Sequence, residues 1–250
     1  MQQSNVSRGN VLILGATSDV SVALAGKFAS EKYTVTLAAR DENRLGVLAS
    51  DLQIRYSVPV YTVLFDALDF ARHEVFYDSL VSKPDIVVCV FGLLGEQARA
   101  QTDWRECATI IDSNFTGAVS ILNIVANDFE RRGSGIIVGI SSVAGDRGRQ
   151  SNYIYGSAKA GFTAYLSGLR NRLFRSNVHV LTVKPGFMKT KMIEGLKTPG
   201  PLTAMPEKVA LSIYRAVQDR SNVIYILPVW RLIMAIIFLI PESIFKKLKL

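Results

Sequence analysis

Ser142, Tyr155 and Lys159 are residue types that together can hand a proton to a carbonyl oxygen. Tyr155 and Lys159 stand four apart in Tyr155-Gly156-Ser157-Ala158-Lys159, and an i, i+4 pair shares one helix face, so the ammonium can lie beneath the phenol. A phenol has a pKa of about 10 in water, and a neighbouring cation stabilises its phenolate. The expectation is a Tyr155 pKa lowered toward neutrality and a general acid at that position. A Tyr-x-x-x-Lys pair alone is more often a surface or packing pair. Here Ser142 follows an apolar run at 135–140, and Gly145, Gly148, Gly156, Ala158, Ala160 and Gly161 keep the surroundings small, which favours a site.

Such a set needs a scaffold. Short apolar runs recur at 11–14, 35–38, 60–64, 86–90, 136–140, 178–183 and 223–227, with helix-length intervals between them. Continuous rather than alternating hydrophobicity predicts strands buried on both faces, as in a parallel sheet covered by helices. The 250 residues suit one large core, and no linker divides them. The expected fold is α/β, a Rossmann-like, doubly wound, seven-stranded parallel sheet over 1–228, followed by an apolar, basic segment at 229–250. In such a sheet the ligand crevice lies beyond the carboxyl ends of the strands, and each motif falls at such an end.

The segment from Ser142 to Gly161 resembles the active-site stretch of the short-chain dehydrogenase/reductase family. The resemblance implies four catalytic residues, Asn114, Ser142, Tyr155 and Lys159, with Asn114 in Ile110-Ile111-Asp112-Ser113-Asn114-Phe115 completing the set on a helix that opens around it. It also implies a dinucleotide site. After the first strand, Gly15-Ala16-Thr17-Ser18-Asp19-Val20-Ser21 stands where the family has Gly-x-x-x-Gly-x-Gly; only Gly15 matches, and Asp19 is expected to cap the following helix. Gly15, Thr17, Ser18, Asp19 and Val20 are the expected phosphate-side contacts. Ala39 replaces the aspartate that would mark NAD, and Arg40 follows it, which favours the 2′-phosphate of NADP(H); Asp41 either offsets Arg40 or caps the next helix. Asp66 and Ala67 resemble the adenine contact, with Asp66 accepting from the exocyclic amine. In Cys89-Val90-Phe91-Gly92 only Gly92 survives of the family's Asn-Asn-Ala-Gly. Pro185, Gly186, Met188 and Thr190 resemble the loop that holds the nicotinamide amide, and Tyr155 and Lys159 complete the implied contacts.

The net charge of +8 fits an anionic surface, substrate or cofactor; no stretch combines basic residues with aromatics as nucleic-acid modules do, so nucleic acid is not expected. Cys89 and Cys107, with no metal-ligand spacing and no secretory h-region, point to a cytosolic setting, with Cys89 as core packing and no metal expected. His73 is expected in solvent and His179 in a structural position.

The run 229–240 spans roughly 18 Å as a helix, against about 30 Å of bilayer core, so it should not cross. With Trp230 and Phe245, and with Arg231, Lys246, Lys247 and Lys249 against Glu242, it suits a segment lying on the inner, anionic membrane face; burial in a homo-oligomer is the alternative. Phe91-Gly92-Leu93-Leu94-Gly95, the Tyr155–Gly161 stretch and the ending from Ile240 to Leu248 resemble the decaprenylphosphoryl-2-keto-pentose reductases of bacterial cell-wall arabinose synthesis. That resemblance implies reduction of a lipid-linked 2-keto sugar and an oxidase partner that forms the ketone. A reductase of fatty-acyl or sterol-like ketones shares the same catalytic residues. A catalytically silent NADP-sensing binding protein is the reading from another class, and the altered glycine loop is its main support.

Overall fold

The computed structural model describes residues 7–193, 195 and 198–248. Seven strands form one parallel sheet: β1 (Asn10–Leu14), β2 (Thr34–Ala39), β3 (Val60–Leu64), β4 (Ile86–Cys89), β5 (Gly135–Ile140), β6 (Val178–Pro185) and β9 (Val223–Ile226). Two short strands, β7 (Phe187–Met188) and β8 (Thr203–Ala204), pair beside it. The order β3-β2-β1-β4-β5-β6-β9 reverses between β1 and β4, and a crevice opens where loops leave those two strands in opposite directions.

The helices are α1 (Asp19–Ser30), α2 (Glu42–Tyr56), α3 (His73–Asp78), α4 (Gln97–Ala100), α5 (Trp104–Ile111), α6 (Gly117–Arg132), α7 (Tyr153–Leu173), α8 (Pro206–Gln218), α9 (Val229–Leu239) and α10 (Glu242–Phe245). One apolar cluster joins α1, α2 and α8 to one face of the sheet, with Leu24, Phe28, Val35, Leu37 and Ile213 fully buried. A second joins α6 and α7 to the other face through Ile121, Phe129, Phe162, Leu166 and Val180. Burial on both faces explains why the central strands read as unbroken apolar runs. The outer strands depart from that expectation: β3 leaves Tyr61 and Leu64 exposed and β9 leaves Val223 exposed, because an edge strand lacks a neighbour and full cover.

The continuous helical stretch Trp104–Arg132 is long and apolar enough to cross a membrane by composition, yet Ile121, Leu122, Val125 and Phe129 are 0% exposed against the sheet, which makes it a core helix here. Helix α9 has 11 residues. It buries Trp230 and Met234 against Val143, Phe187 and Leu202, so the C-terminal segment packs beside the loop that follows β5. Arg147 fastens it there, donating to the carbonyls of Ile237 and Ile240, pairing with Glu242 at 3.0 Å and lying 3.7 Å over the Phe245 ring. Lys249, counted above among the basic residues, lies outside the described residues.

Candidate active site

Strand β5 delivers two serines with different tasks. Ser141 is buried and its hydroxyl donates to the Lys159 carbonyl at 3.0 Å and meets Thr163 Oγ1 at 2.6 Å, which ties the strand end to α7. Ser142 is left facing the phenol of Tyr155, and its Oγ also accepts from Ala144 N at 3.1 Å, opening a 3₁₀ turn over Val143–Gly145. That turn touches α7 backbone to backbone: a Cβ on Gly145 would lie 2.7 Å from Ala160 N, and one on Gly156 would lie 2.8 Å from the Ala144 carbonyl oxygen. The small residues around Tyr155 therefore set how near the serine comes to the tyrosine.

Lys159 is buried; its Nζ donates to the Ile140 carbonyl at 3.0 Å and stands 5.8 Å from the centre of the Tyr155 ring. The arrangement on one helix face is as expected, whereas the electrostatics differ. Burial pushes the Tyr155 phenol up to about 12, opposed by its hydrogen bond with Ser142, and burial pulls the Lys159 ammonium down to about 8. The expected fall in the phenol pKa fails because desolvation disfavours the charged form of each group, and for the phenol it outweighs the hydrogen bond with Ser142. The phenol is thus neutral across ordinary pH, the state a proton donor needs.

Asn114 sits in a π turn, Asp112–Thr116, between α5 and α6, where Gly117 N reaches back five residues to Asp112. Its amide donates to the carbonyls of Ile110 (2.8 Å) and Leu93 (2.6 Å), and its oxygen accepts from Leu93 N (3.2 Å). Asn114 thereby braces the loop at Gly92, where an added Cβ would lie 2.6 Å from Asn114 Oδ1 and 3.2 Å from Lys159 Nζ. Gly92 thus connects the lysine and asparagine to the crevice.

That crevice is a cleft of about 490 Å³. Gly15, Thr17, Ser18, Asp19, Val20, Arg40, Asp66, Ala67, Gly92, Met188 and Thr190 line it, and Gly92 and Ile140 connect it to Lys159. Gly15 adopts φ +85°, and its Cα approaches Phe91 so closely that a Cβ would lie 2.8 Å from Phe91 N. Asp19 does not cap α1. The extended backbone of Ser18 (φ −75°, ψ 154°) makes it the cap, accepting from Ser21 N, while Asp19, already helical, accepts from Lys191 N at 2.9 Å and clips the segment after Thr190 across the cleft. Ser21, at a former glycine position, turns inward to donate to the Gly15 carbonyl at 2.8 Å. Asp41 caps α2 by accepting from Arg44 N, leaving Arg40 without an ion-pair partner among the described residues.

Three placements differ from expectation. Pro185 and Gly186, like Asn114, Ser142, Tyr155 and Lys159, are not among the residues lining the cleft, and Gly186 is pressed so close to Trp230 that a Cβ would overlap the indole. His73 is buried rather than solvated, because Ser120 Oγ (2.9 Å) and the Asp66 carbonyl (3.0 Å) engage both ring nitrogens and Phe65 stacks on it, which fixes the Asp66 loop. Arg44 and Lys191, absent from the expected set, line the cleft; Arg44, in the first turn of α2, is a second basic residue that the sequence offers four positions after Arg40. His179 is structural, bonded to the Ser221 carbonyl, and Cys89 is core. Among the described residues no cluster of His, Cys, Asp or Glu is arranged to hold a metal.

Residues 9–199 match the short chain dehydrogenase family. An uncharacterised oxidoreductase of Mycobacterium tuberculosis is 36% identical over 241 residues, covering 95% of this chain and 96% of that protein. Among solved structures, a short-chain dehydrogenase from Sphingobium yanoikuyae in complex with NADPH superposes with a TM-score of 0.81 at 24% identity, covering 94% and 97% of the two chains. Actinorhodin polyketide ketoreductase with NADPH superposes at 0.78 with 20% identity, covering 88% and 96%. The sheet order agrees with the sequence match: the chain belongs to the short-chain dehydrogenase/reductase family.

Proposed function

We propose that the chain is an NADPH-dependent ketoreductase acting on the 2-keto group of a polyprenyl-phosphate-linked pentose. The observation that carries the chemistry is the neutral Tyr155 phenol facing Ser142, with the Lys159 amine on the same helix face beside the cleft. The cleft suits a dinucleotide: Gly15 opens the way to the first turn of α1, Arg40 and Arg44 crowd the end where a 2′-phosphate would lie, and Ala39 offers no carboxylate there. The Asp19 charge would oppose a pyrophosphate, and its bond to Lys191 N draws it toward that segment. Gly15, Thr17, Ser18 and Val20 would hold the phosphates, Asp66 and Ala67 the adenine, and Met188 and Thr190 the nicotinamide end.

NADPH, when bound, supplies a hydride to the ketone carbon. Tyr155 donates its proton to the carbonyl oxygen as negative charge builds there, and Ser142 donates a hydrogen bond to the same oxygen. Lys159, where charged, stabilises the phenolate left behind, and Asn114 keeps the Gly92 loop against that amine.

Arg40→Ala is expected to weaken NADPH binding about 10- to 100-fold and leave NADH binding within about twofold, because a charge-assisted bond to the 2′-phosphate is lost. Fluorescence titration with both cofactors measures this. An equal loss for both would remove Arg40 from cofactor selection.

The resemblance of 91–95, 155–161 and 240–248 supports the lipid-linked substrate, and so does α9. Its Leu232, Ile236 and Leu239 are 62%, 55% and 82% exposed on one face, with Lys246 and Lys247 in solvent just beyond. Such a face suits peripheral contact with the inner membrane leaflet, where a polyprenyl chain resides. The substrate's ketone implies an oxidase that acts first. A fatty-acyl or sterol-like ketone is the second reading, favoured by the same apolar face. Incubation with NADPH and either a polyprenyl-phosphoryl 2-keto-pentose or a 3-keto acyl thioester discriminates: consumption of NADPH with the keto sugar is expected, and consumption with the acyl compound alone would overturn the assignment.

A further inference from the structure

Three buried side-chain polar atoms lack a partner among the described residues: Gln97 Nε2, Arg149 Nε and Asn152 Oδ1. They belong to one corner of the molecule. Gln97 Oε1 accepts from Ile154 N at 3.1 Å, and Asn152 N donates to the Arg149 carbonyl at 3.2 Å. Ile154 packs with Ala100, Ile110 and Tyr155, so the corner adjoins the reactive phenol. Asn152 precedes α7, yet its side chain does not cap that helix.

The charges there do not balance. Asp146 is engaged by Lys184 at 2.5 Å and by the Tyr225 hydroxyl at 2.9 Å, and Glu242 is engaged by Arg147. Asp146 lies near enough to attract the Arg149 guanidinium but forms no ion pair with it among the described residues. Exposed Arg231 on α9 adds a second cation unpaired among those residues, and the contact of Arg149 Nη2 is Met234 Sδ at 3.2 Å, a weak acceptor. Helix α9, packed against this loop, carries no acidic residue. Burying Arg149 Nε, Gln97 Nε2 and Asn152 Oδ1 without partners is unfavourable unless something polar joins them, and a group with negative charge suits the guanidinium.

We propose that Arg149, with Asn152 and Gln97, forms a subsite for the phosphate and adjoining hydroxyls of the substrate. The guanidinium takes phosphate oxygens, the Gln97 amide donates to an oxygen, and the Asn152 carbonyl accepts from a sugar hydroxyl. The subsite lies between Tyr155 and α9, so the keto sugar reaches the phenol while the lipid follows the exposed apolar face. This rests on the lipid-phosphate reading above and adds the residues that recognise the anion.

Titration calorimetry without cofactor tests it, using farnesyl phosphate, farnesol and inorganic phosphate against the wild type, Arg149→Gln and Arg149→Lys. Farnesyl phosphate should bind more tightly than inorganic phosphate and lose about 10- to 100-fold in affinity in Arg149→Gln, with partial recovery in Arg149→Lys and farnesol unchanged. In turnover, Arg149→Gln should raise KM for a farnesyl-phosphoryl 2-keto-pentose and leave KM for the uncharged methyl 2-keto-pentoside in place. Equal farnesyl phosphate affinity in wild type and Arg149→Gln would overturn the subsite. Wild-type enzyme that reduces neither keto sugar, while still binding farnesyl phosphate through Arg149, would end the substrate reading and leave the subsite standing.

Discussion

Tyr155→Phe should lower ketone turnover by about 10³-fold while NADPH binds within about threefold of wild type. The substitution removes one oxygen from a ring that otherwise packs beside Ile154 and Ile110, so the fold has little reason to change. What disappears is the proton donor. Burial holds the phenol at about 12, hence protonated at any working pH, and the alkoxide formed by hydride arrival is a stronger base than the phenolate, so transfer runs downhill once that charge appears. Ser142→Ala should cost less, about 10²-fold, since a hydrogen bond to the developing oxyanion is lost and the proton remains. Stopped-flow absorbance of NADPH oxidation, beside a cofactor titration, separates the two effects. A Phe variant within tenfold of wild-type turnover would remove Tyr155 from proton transfer, and a large loss of NADPH affinity would make its role one of binding.

The seven strands were legible because the central ones are buried on both faces and their apolar runs stop at or within a residue or two of where the chain leaves the sheet, as at Leu14 and Ile140. The shared helix face of Tyr155 and Lys159 was legible from their i, i+4 spacing, and the small residues around them marked the close approach of the Ser142 loop. What was not legible depends on contacts distant in sequence. His73 reads as solvated from its charged neighbours, yet its partners are Ser120, forty-seven positions away, and the Asp66 backbone. Ser18 and Asp19 are both capping residue types; the extended backbone at Ser18 decides between them, and the Lys191 backbone N–H engages Asp19 from 172 positions away. Pro185 ends β6 and Gly186 follows it, but Trp230 occupies the space against Gly186. The phenol pKa is not legible because spacing reveals the neighbouring amine and conceals the burial that raises the phenol.

Lys159→Met should abolish most activity and yet make the protein more stable at neutral pH. The folded chain holds the Lys159 pKa near 8, against 10.5 for the free side chain, with burial as the leading cause. A lowered pKa in the folded state means that folding disfavours the charged form. Above about pH 10.5 the amine is neutral in both states and no penalty applies. The penalty grows as pH falls from there to about 8 and is complete below it, on the order of 3 kcal/mol. Methionine occupies similar space without charge, so the variant escapes that penalty, less about 1 kcal/mol for the Ile140 carbonyl that loses its donor. A Tm about 5 °C above wild type at pH 7 follows, with the difference shrinking as pH approaches 10. The same titration bears on catalysis: wild-type kcat/KM for NADPH should fall with unit slope above pH about 8 as Lys159 loses its charge, a limb absent from the residual activity of the Met variant. Scanning calorimetry across pH 6–10 reads the first effect directly. A Met variant less stable than wild type at pH 7 would mean that the buried ammonium is held by more than one carbonyl, and that the fold requires its charge as much as the reaction does.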